Sequence, residues 1–228
     1  MTFIFPPQEQ TTLPIRGKSE LFPVNRVYCV GRNYAAHAIE MGHDPDKEPP
    51  FFFQKNPDNI LLEGNDFPYP PMTRDVHHEI EMVVALKSGG DSIPAEKALD
   101  YIYGYGVSLD MTRRDLQGEM KKLGRPWEIG KAFERSAPCS ELVTADEIGH
   151  PNEGAVWLKI NDEICQEGDL NQLIWKIPDM ISYLSDLFTL HPGDIILTGT
   201  PSGVGPVQKG DKMHGYVAGV GELRVNVA

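Results

Sequence analysis

Glycine and proline interrupt this chain so often that only short regular elements fit between them. The 228 residues include 22 glycines and 19 prolines, and turn signals at this density favour many short strands. The strand-like stretches also fail to alternate with helices in a regular βαβ series, which disfavours a doubly wound parallel sheet. The sequence therefore predicts a β-rich α+β fold in which strands dominate and a few helices are peripheral.

Individual segments agree with this expectation. Strands are predicted for the stretches NRVYCV, PPFFFQKN, HHEIEMVVAL and YIYGYGVSLD, and AVWLKINDEICQEG predicts a hairpin around Asn161 and Asp162. Three helices are predicted: residues 34–41 with Gly42 as C-cap, residues 112–122, and residues 178–190 with proline in the first turn. For the second helix, Thr112 and Asp115 have capping-box spacing and Gly124 follows its end.

The chain is expected to form one compact domain, residues 24–228. Residues 1–23 contain Pro6, Pro7 and Pro14 and are predicted to be an extended N-terminal arm.

Charge and composition exclude several classes of function. The chain has 21 basic and 33 acidic residues, a formal charge of −12, without a basic run suited to a phosphate backbone, so nucleic acid is not an expected partner. No signal peptide and no apolar run of about 18 residues is present, so a cytoplasmic protein without a membrane segment is expected. The three cysteines include no CxxC pair, which predicts reduced thiols rather than disulfides or a zinc knuckle.

The glutamates Glu79 and Glu81 stand at the head of the apolar strand HHEIEMVVAL. Extended geometry places their side chains on one face, about 7 Å apart, where solvation, a shared proton or a divalent cation would relieve their repulsion. Solvation is the ordinary fate of glutamate. However, this strand is apolar on both faces, and Asp110 ends another strand whose own face, with Gly104 and Gly106, is nearly bare. Three carboxylates would suit a hard ion such as Mg²⁺.

Other polar residues allow both a structural and a functional interpretation. His37 and Glu40 are three residues apart, so on a helix they form either a surface pair or a hydrogen-bonded general base. Thr200, in a glycine-rich turn, is either structural or a donor to a carboxylate. Lys55 is either solvated or a contact for a distal substrate carboxylate. The neighbouring His77 and His78 point to opposite faces of a strand, so no metal role is assigned to them.

The motifs VGRNYAAHAIEMG, FFFQKN, HHEIEMVVAL, GVSLDMTRRDLQ, IGKAF and ILTGTPSGVG together resemble the fumarylacetoacetate hydrolase (FAH) superfamily. The resemblance extends from about Val27 to the C-terminus. It implies a mixed β-roll with peripheral helices, usually in a homodimer. It also implies that Glu79, Glu81 and Asp110 hold Mg²⁺ or Mn²⁺.

The same resemblance implies roles for the other candidates. His37 and Glu40 correspond to a dyad, on a segment that orders over the active site, in which glutamate orients a water-activating histidine. Lys131 corresponds to a lysine beside the metal that stabilises enolate charge. Arg114 and Gln117 correspond to substrate contacts.

The activity that this resemblance implies is metal-dependent hydrolysis of a carbon–carbon bond in an acylpyruvate. The stretches VGRNY…HAIEMG and PPFFFQKN are most similar to fumarylpyruvate hydrolases, which form fumarate and pyruvate. Oxaloacetate decarboxylation and isomerisation or hydration of 2-hydroxy-dienoates are alternatives within the family. An alternative of another class is a non-catalytic protein that binds a small oxo acid, and the complete set of candidate ligands argues against it.

Overall fold

The computed structural model of the protein describes residues 2–35 and 49–228. Strands make up most of its regular structure. In chain order they are β1 Thr12–Pro14, β2 Leu21–Pro23, β3 Val27–Gly31, β4 Phe51–Lys55, β5 Ile60–Leu62, β6 Val76–His78, β7 Ile80–Leu86, β8 Ile102–Leu109, β9 Thr112–Arg113, β10 Ala137–Cys139, β11 Val143–Thr144, β12 Ala155–Ile160, β13 Glu163–Asp169, β14 Ile195–Leu197, β15 Gly205–Pro206, β16 Lys212–Val217 and β17 Gly221–Asn226.

The largest sheet has eight strands and is mixed. Its order is β4-β3-β14-β7-β8-β10-β5, with β11 beside β8. The pairs β3–β14 and β5–β10 are parallel, and the remaining pairs are antiparallel. A strand-rich α+β fold with a mixed sheet was predicted, and this architecture confirms it.

Both faces of this sheet are covered, which explains the unbroken apolar character of β7. Ile80, Met82, Val84 and Leu86 face the larger of two hydrophobic clusters, whereas Val83 and Ala85 face the smaller one. Because side chains alternate along a strand, Glu81 shares the face of the smaller cluster. The acidic end of β7 is therefore part of the interior rather than a solvated edge.

Two smaller sheets complete the β structure. One is antiparallel with the order β13-β12-β16-β17, and the other has the order β15-β6-β9. Strands β12 and β13 form the predicted hairpin. Its turn residues Asn161 and Asp162 have φ values of 50° and 72°, the left-handed conformation that a tight type I′ turn requires.

The helices are short and lie outside the large sheet. They are α1 Arg114–Leu123, α2 Glu128–Lys131, α3 Ala145–Ile148 and α4 Ile177–Leu187, and 3-10 helices span Pro57–Asn59, Ala95–Tyr101 and Leu170–Gln172. Helix α4 begins with proline in its first turn, as predicted, and ends three residues earlier than predicted. The third expected helix, over residues 34–41, lies outside the described residues from position 36 onward.

The two ends of α1 differ in how well the sequence predicted them. Gly124, with φ 62°, caps the C-terminus in the left-handed conformation, as predicted. The predicted capping box between Thr112 and Asp115 does not form. Thr112 lies in β9 and donates its hydroxyl to the Asp110 carbonyl at 3.1 Å, while Asp115 accepts from Thr73 Oγ1 at 2.6 Å. Tertiary contacts use both side chains instead.

Residues 1–23 contain more structure than an extended arm. Strands β1 and β2 pair antiparallel, and Leu13 and Phe22 are buried in the smaller cluster. Within residues 2–23, positions 2–10 and the turn at 17–20 are exposed and irregular. The hairpin is thus part of the packed domain, because its apolar side chains bury against the large sheet.

Among the described residues, no helix is long and apolar enough to cross a membrane.

Candidate active site

The acidic site lies where the stretch HHEIEMVVAL is interrupted between two strands. β6 ends at His78 and β7 begins at Ile80, so Glu79 occupies the junction. Asp110, directly after β8, donates its N–H to the Glu79 carbonyl at 2.8 Å, and Glu81 lies opposite Ser108 in the β7–β8 register. One carboxylate oxygen of each of Glu79, Glu81 and Asp110 lies within 4.8 Å of the others. We call these three residues the acidic triad.

The face of β8 that carries Gly104 and Gly106 packs against another segment of the chain and not against a ligand. A Cβ at Gly104 would lie 2.2 Å from the Val143 carbonyl oxygen, and one at Gly106 would lie 3.1 Å from Leu142 Cδ2. The glycines therefore let the chain before and within β11 pack against β8. Asp110 thus follows a strand in which every residue except Tyr103 is buried, and it is itself buried.

Lys131 joins two members of the acidic triad. It lies at the end of α2 and is buried. Its Nζ donates to Glu79 Oε2 at 2.8 Å, to Asp110 Oδ2 at 2.7 Å and to Thr112 Oγ1 at 2.7 Å. The pKa of Lys131 is raised, because although burial lowers it, the nearby Asp110 and Glu79 carboxylates outweigh that effect. The ammonium is therefore charged and fixed in position.

Lys55 lies behind the triad, which corrects its predicted contact with a distal substrate carboxylate. Its Nζ forms an ion pair with Asp110 Oδ1 at 2.9 Å and donates to Ser136 Oγ at 2.9 Å and to the carbonyls of Met111 and Lys131. The side chain is completely buried and does not line the cavity. An ammonium desolvated to this extent needs these partners, so it supports Asp110 and cannot reach a substrate.

Glu81 is the least compensated member of the triad. Among the described residues its hydrogen-bond donor is the Gly199 N–H, which donates to Oε2 at 2.7 Å. Burial raises the pKa of Glu81 well above its usual value, and the neighbouring charges of Asp110 and Glu79 raise it further. A cation that approached this carboxylate would oppose both effects by stabilising its charged form.

The composition of the site fits Mg²⁺ or Mn²⁺. All ligand candidates are carboxylate oxygens, which hard divalent ions prefer, and all three are buried. Among the described residues, three cations contact the triad, namely Lys55, Lys131 and Arg114, so the six groups carry no net charge when all three carboxyl groups are ionised. A divalent ion would leave a net positive site suited to an anionic substrate.

Arg114 and Gln117 lie together at the start of α1. Arg114 Nη1 donates to Gln117 Oε1 at 2.7 Å, and its Nη2 donates to Glu79 Oε1. Both residues line the cavity beside the triad. They were predicted as substrate contacts, and the structure places them where such contact is possible.

Gln166 is a residue that the sequence did not reveal. It is the one buried residue of the first five in β13. Its Nε2 donates to Thr200 Oγ1 and to the Pro201 carbonyl, each at 2.8 Å, and its Oε1 accepts from Ile80 N–H at 3.1 Å. Gln166 therefore ties the turn that carries Thr200 to the acidic end of β7.

The two histidines before the triad have protein partners. His78 Nδ1 lies 2.9 Å from Gln166 Oε1, and His77 Nε2 lies 2.9 Å from Asp75 Oδ1. Burial lowers the pKa of both, which favours neutral rings.

The triad forms part of the wall of a cavity that is partly open to solvent. The lining is partly polar, with contributions from α1, and partly aromatic. The lining includes the triad, Arg32, Phe51, Phe53, Arg114, Gln117, Lys121, Trp127, Lys131 and Thr200. The predicted dyad, His37 and Glu40, lies outside the described residues and stays a prediction.

Comparison with known proteins agrees with this geometry. Residues 26–228 match the family described as "Fumarylacetoacetate (FAA) hydrolase C-terminal". The crystal structure of fumarylpyruvate hydrolase from Pseudomonas aeruginosa in complex with Mn²⁺ and pyruvate is 51% identical to this chain. It has a TM-score of 0.97, and the match covers 100% of this chain and 99% of that chain.

Two further relatives show that the family supports other reactions. Mitochondrial oxaloacetate tautomerase FAHD1 of Mus musculus is 43% identical over 201 residues, which cover 88% of this chain and 90% of the relative. The crystal structure of 5-carboxymethyl-2-hydroxymuconate delta-isomerase from Mycobacterium smegmatis is 31% identical, with a TM-score of 0.81, over 96% of this chain and 82% of that chain. The predicted resemblance is confirmed, and the chain belongs to the fumarylacetoacetate hydrolase family.

Proposed function

We propose that this protein hydrolyses the carbon–carbon bond of an acylpyruvate with the help of a divalent metal, and that fumarylpyruvate is its substrate. The observation that carries the proposal is the similarity over the whole chain to the P. aeruginosa fumarylpyruvate hydrolase, whose structure contains Mn²⁺ and pyruvate. The buried acidic triad supports it, because three converging carboxylates fit such an ion.

In this proposal Glu79, Glu81 and Asp110 hold Mg²⁺ or Mn²⁺. When bound, the ion supplies Lewis acidity that favours negative charge on the oxygens of the oxo acid. Lys131 supplies a second, permanent positive charge at the same place, because Glu79, Asp110 and Thr112 fix its ammonium. The Lys131 side chain is buried, so its charge acts strongly on an enolate oxygen.

The substrate is oriented by groups around the triad. Arg114 and Gln117 present guanidinium and amide donors from α1, and Thr200 presents a hydroxyl held by Gln166. Together they bind the pyruvyl carboxylate and hold the bond to be cleaved in one orientation.

The proposed base is His37, oriented by Glu40. His37 removes a proton from water, and the hydroxide adds to the carbonyl distal to the pyruvyl end. The tetrahedral intermediate then collapses, the carbon–carbon bond breaks, and pyruvate leaves as its enolate beside Lys131. His37 returns the proton to the enolate carbon, so fumarate and pyruvate are released.

Oxaloacetate tautomerisation is a second candidate, because FAHD1 of Mus musculus is 43% identical to this chain. It moves a proton between carbon and oxygen through an enolate, so it needs the same cations without addition of water. Decarboxylation of oxaloacetate also passes through an enolate. The two classes differ in whether a water-activating base is required.

The decisive experiment follows the ultraviolet absorbance of fumarylpyruvate, acetylpyruvate and enolic oxaloacetate, with Mg²⁺, with Mn²⁺ and after chelation. We expect metal-dependent loss of fumarylpyruvate with equimolar fumarate and pyruvate. His37→Ala should keep metal binding, measured by calorimetry, yet lose hydrolysis. If oxaloacetate alone reacts, or if His37→Ala hydrolyses at the wild-type rate, the hydrolase proposal is wrong.

A homodimer in the cytoplasm, acting in the breakdown of aromatic compounds, completes the proposal. Light scattering of the purified protein would test the dimer, and a monomeric mass would contradict it. Fractionation of cells would test the location, since the FAHD1 relatives carry the name mitochondrial.

A further inference from the structure

Helix α1 continues beyond Arg114 and Gln117 with a third polar residue on the same face. Arg114, Gln117 and Lys121 are related by the spacings i, i+3 and i+7, which share one face of a helix, and all three line the cavity. With a rise of about 1.5 Å per residue, Lys121 lies roughly 10 Å along the axis from Arg114. Because Arg114 binds Glu79, Lys121 marks the part of the cavity farther from the triad along α1.

An aromatic wall supports the Lys121 side chain. Its Nζ lies 4.8 Å from the centre of the Trp127 ring. The Trp127 ring meets Phe51 edge-on at 5.2 Å and lies 6.0 Å from Phe53. A cation over an aromatic face is attracted to it, so the half-buried ammonium is held at the cavity instead of extending into solvent.

The charges around Lys121 are mostly positive. Within residues 2–35 and 49–228 no carboxylate forms an ion pair with it, and the charged groups that act on it are Arg114, Arg32, Glu79 and Lys131. Burial, Arg114 and Arg32 lower the pKa of Lys121 to about 8. This part of the cavity therefore favours an anion.

We propose that Lys121 binds the distal carboxylate of a dicarboxylic oxo acid whose oxo-acid end lies at the acidic triad. By doing so it selects diacids over monoacids of the same length. This inference rests on the proposed function only for the position of the oxo-acid end. A charge-assisted contact at a half-buried ammonium beside an aromatic ring is stronger than one in open solvent.

Equilibrium binding tests the subsite without turnover. Calorimetry on the Mn²⁺-loaded protein near pH 7 compares 2-oxoheptanedioate with 2-oxoheptanoate, which differ only in the distal carboxylate. We expect the wild type to bind the diacid at least about 10-fold more tightly. Lys121→Met should remove this preference without weakening monoacid binding, and Lys121→Arg should keep most of it. The control is Lys122→Met, because Lys122 is exposed on the same helix, and it should behave as the wild type.

A wild type that binds both acids equally, or a Lys121→Met variant that retains the preference, overturns the inference. Hydrolysis gives a separate readout, in which Lys121→Met should lose kcat/KM for fumarylpyruvate and not for acetylpyruvate. Equal loss on both substrates would also contradict a distal role. If the wild type hydrolyses neither compound while its diacid preference depends on Lys121, the proposed hydrolysis fails and the subsite stands.

Discussion

The two ends of β14 hold buried carboxylates in opposite ways. Before the strand, Asp194 accepts Arg26 Nε at 3.0 Å and Nη2 at 2.6 Å, Asn25 Nδ2 at 2.7 Å and the His191 N–H at 2.9 Å. After the strand, Glu81 accepts the Gly199 N–H at 2.7 Å and faces two further carboxylates. One acid is fully satisfied by the protein, and the other is surrounded by like charge.

This difference separates a structural carboxylate from a functional one. A buried acid with a guanidinium and several N–H donors stabilises the fold, because its lost hydration is replaced. Among the described residues, Lys55, Lys131 and Arg114 form ion pairs with Asp110 and Glu79 but not with Glu81, so Glu81 beside two carboxylates raises the free energy of the folded state until a further cation joins the triad. Perturbed groups of this kind concentrate at functional sites. A change at Glu81 should therefore mainly reduce activity, and a change at Asp194 should mainly reduce stability.

The largest effect is expected for Glu81→Gln. The amide keeps an oxygen for the Gly199 N–H but removes the charge, so loss of the metal should lower kcat/KM roughly 1,000-fold, about 4 kcal/mol in the barrier. The exposed Glu96→Gln is the control. Full activity of Glu81→Gln with Mg²⁺ would remove Glu81 from the metal site.

The same variant should change how stability depends on pH. Because the folded protein raises the pKa of Glu81, it holds this proton more tightly than the unfolded chain does. The metal-free wild type should therefore lose stability as pH rises from about 4.3, the unfolded value, towards the raised folded value. Urea titrations across this range should show a smaller loss for Glu81→Gln, and identical slopes would contradict the shift.

Metal binding should stabilise the protein through the triad. At a free Mn²⁺ concentration of 100 times Kd, we expect about 2.7 kcal/mol of added stability from mass action, measured as a rise in Tm over the chelated protein. Asp194→Asn should show the same rise, since it lies at the other end of β14, whereas Glu81→Gln should show little. A rise in Glu81→Gln as large as in the wild type would place the ion elsewhere.

At the other end, Asp194→Asn should reduce the free energy of unfolding by about 2 kcal/mol. This is below the cost of breaking a fully buried pair, because Arg26 keeps part of its hydration. Activity per folded molecule should be unchanged. Urea denaturation should give a lower free energy of unfolding for this variant than for the control Asp186→Asn, which changes an exposed residue. Equal stability of the two variants would contradict a structural role for Asp194.

The smallest effect is expected for Gln166→Leu. The variant leaves Thr200 and the Ile80 N–H without their amide partner, so the turn that carries Thr200 loses its orientation. We expect kcat/KM to fall about 10-fold, mainly through KM, while metal affinity is kept. Glu167→Gln, at the exposed neighbouring position, is the control. A fall in metal affinity instead would show that Gln166 acts on the triad.

Local pattern predicted much of the fold and part of the site. Turn signals indicated short strands, the Asn161–Asp162 hairpin and the cap at Gly124, since these depend on φ/ψ preferences of neighbouring residues. The acidic triad could also be predicted from the sequence, because its members mark the ends of two adjacent apolar strands. Gln166 could not be predicted, since its hydrogen-bond partners lie 34 and 86 positions away in the chain. One buried glutamine in an exposed strand is the only signal, and burial is not visible in a single sequence.

The sequence by itself determined that this chain is rich in short strands and that acids stand at the ends of two of them, because periodicity and turn chemistry act between near neighbours. Only the tertiary structure decided which lysine supports Asp110 and which meets the cavity. Lys55 and Lys121 are both ordinary lysines in the sequence, and the difference arises from strand register and helix packing, which enclose one ammonium completely and leave the other beside Trp127.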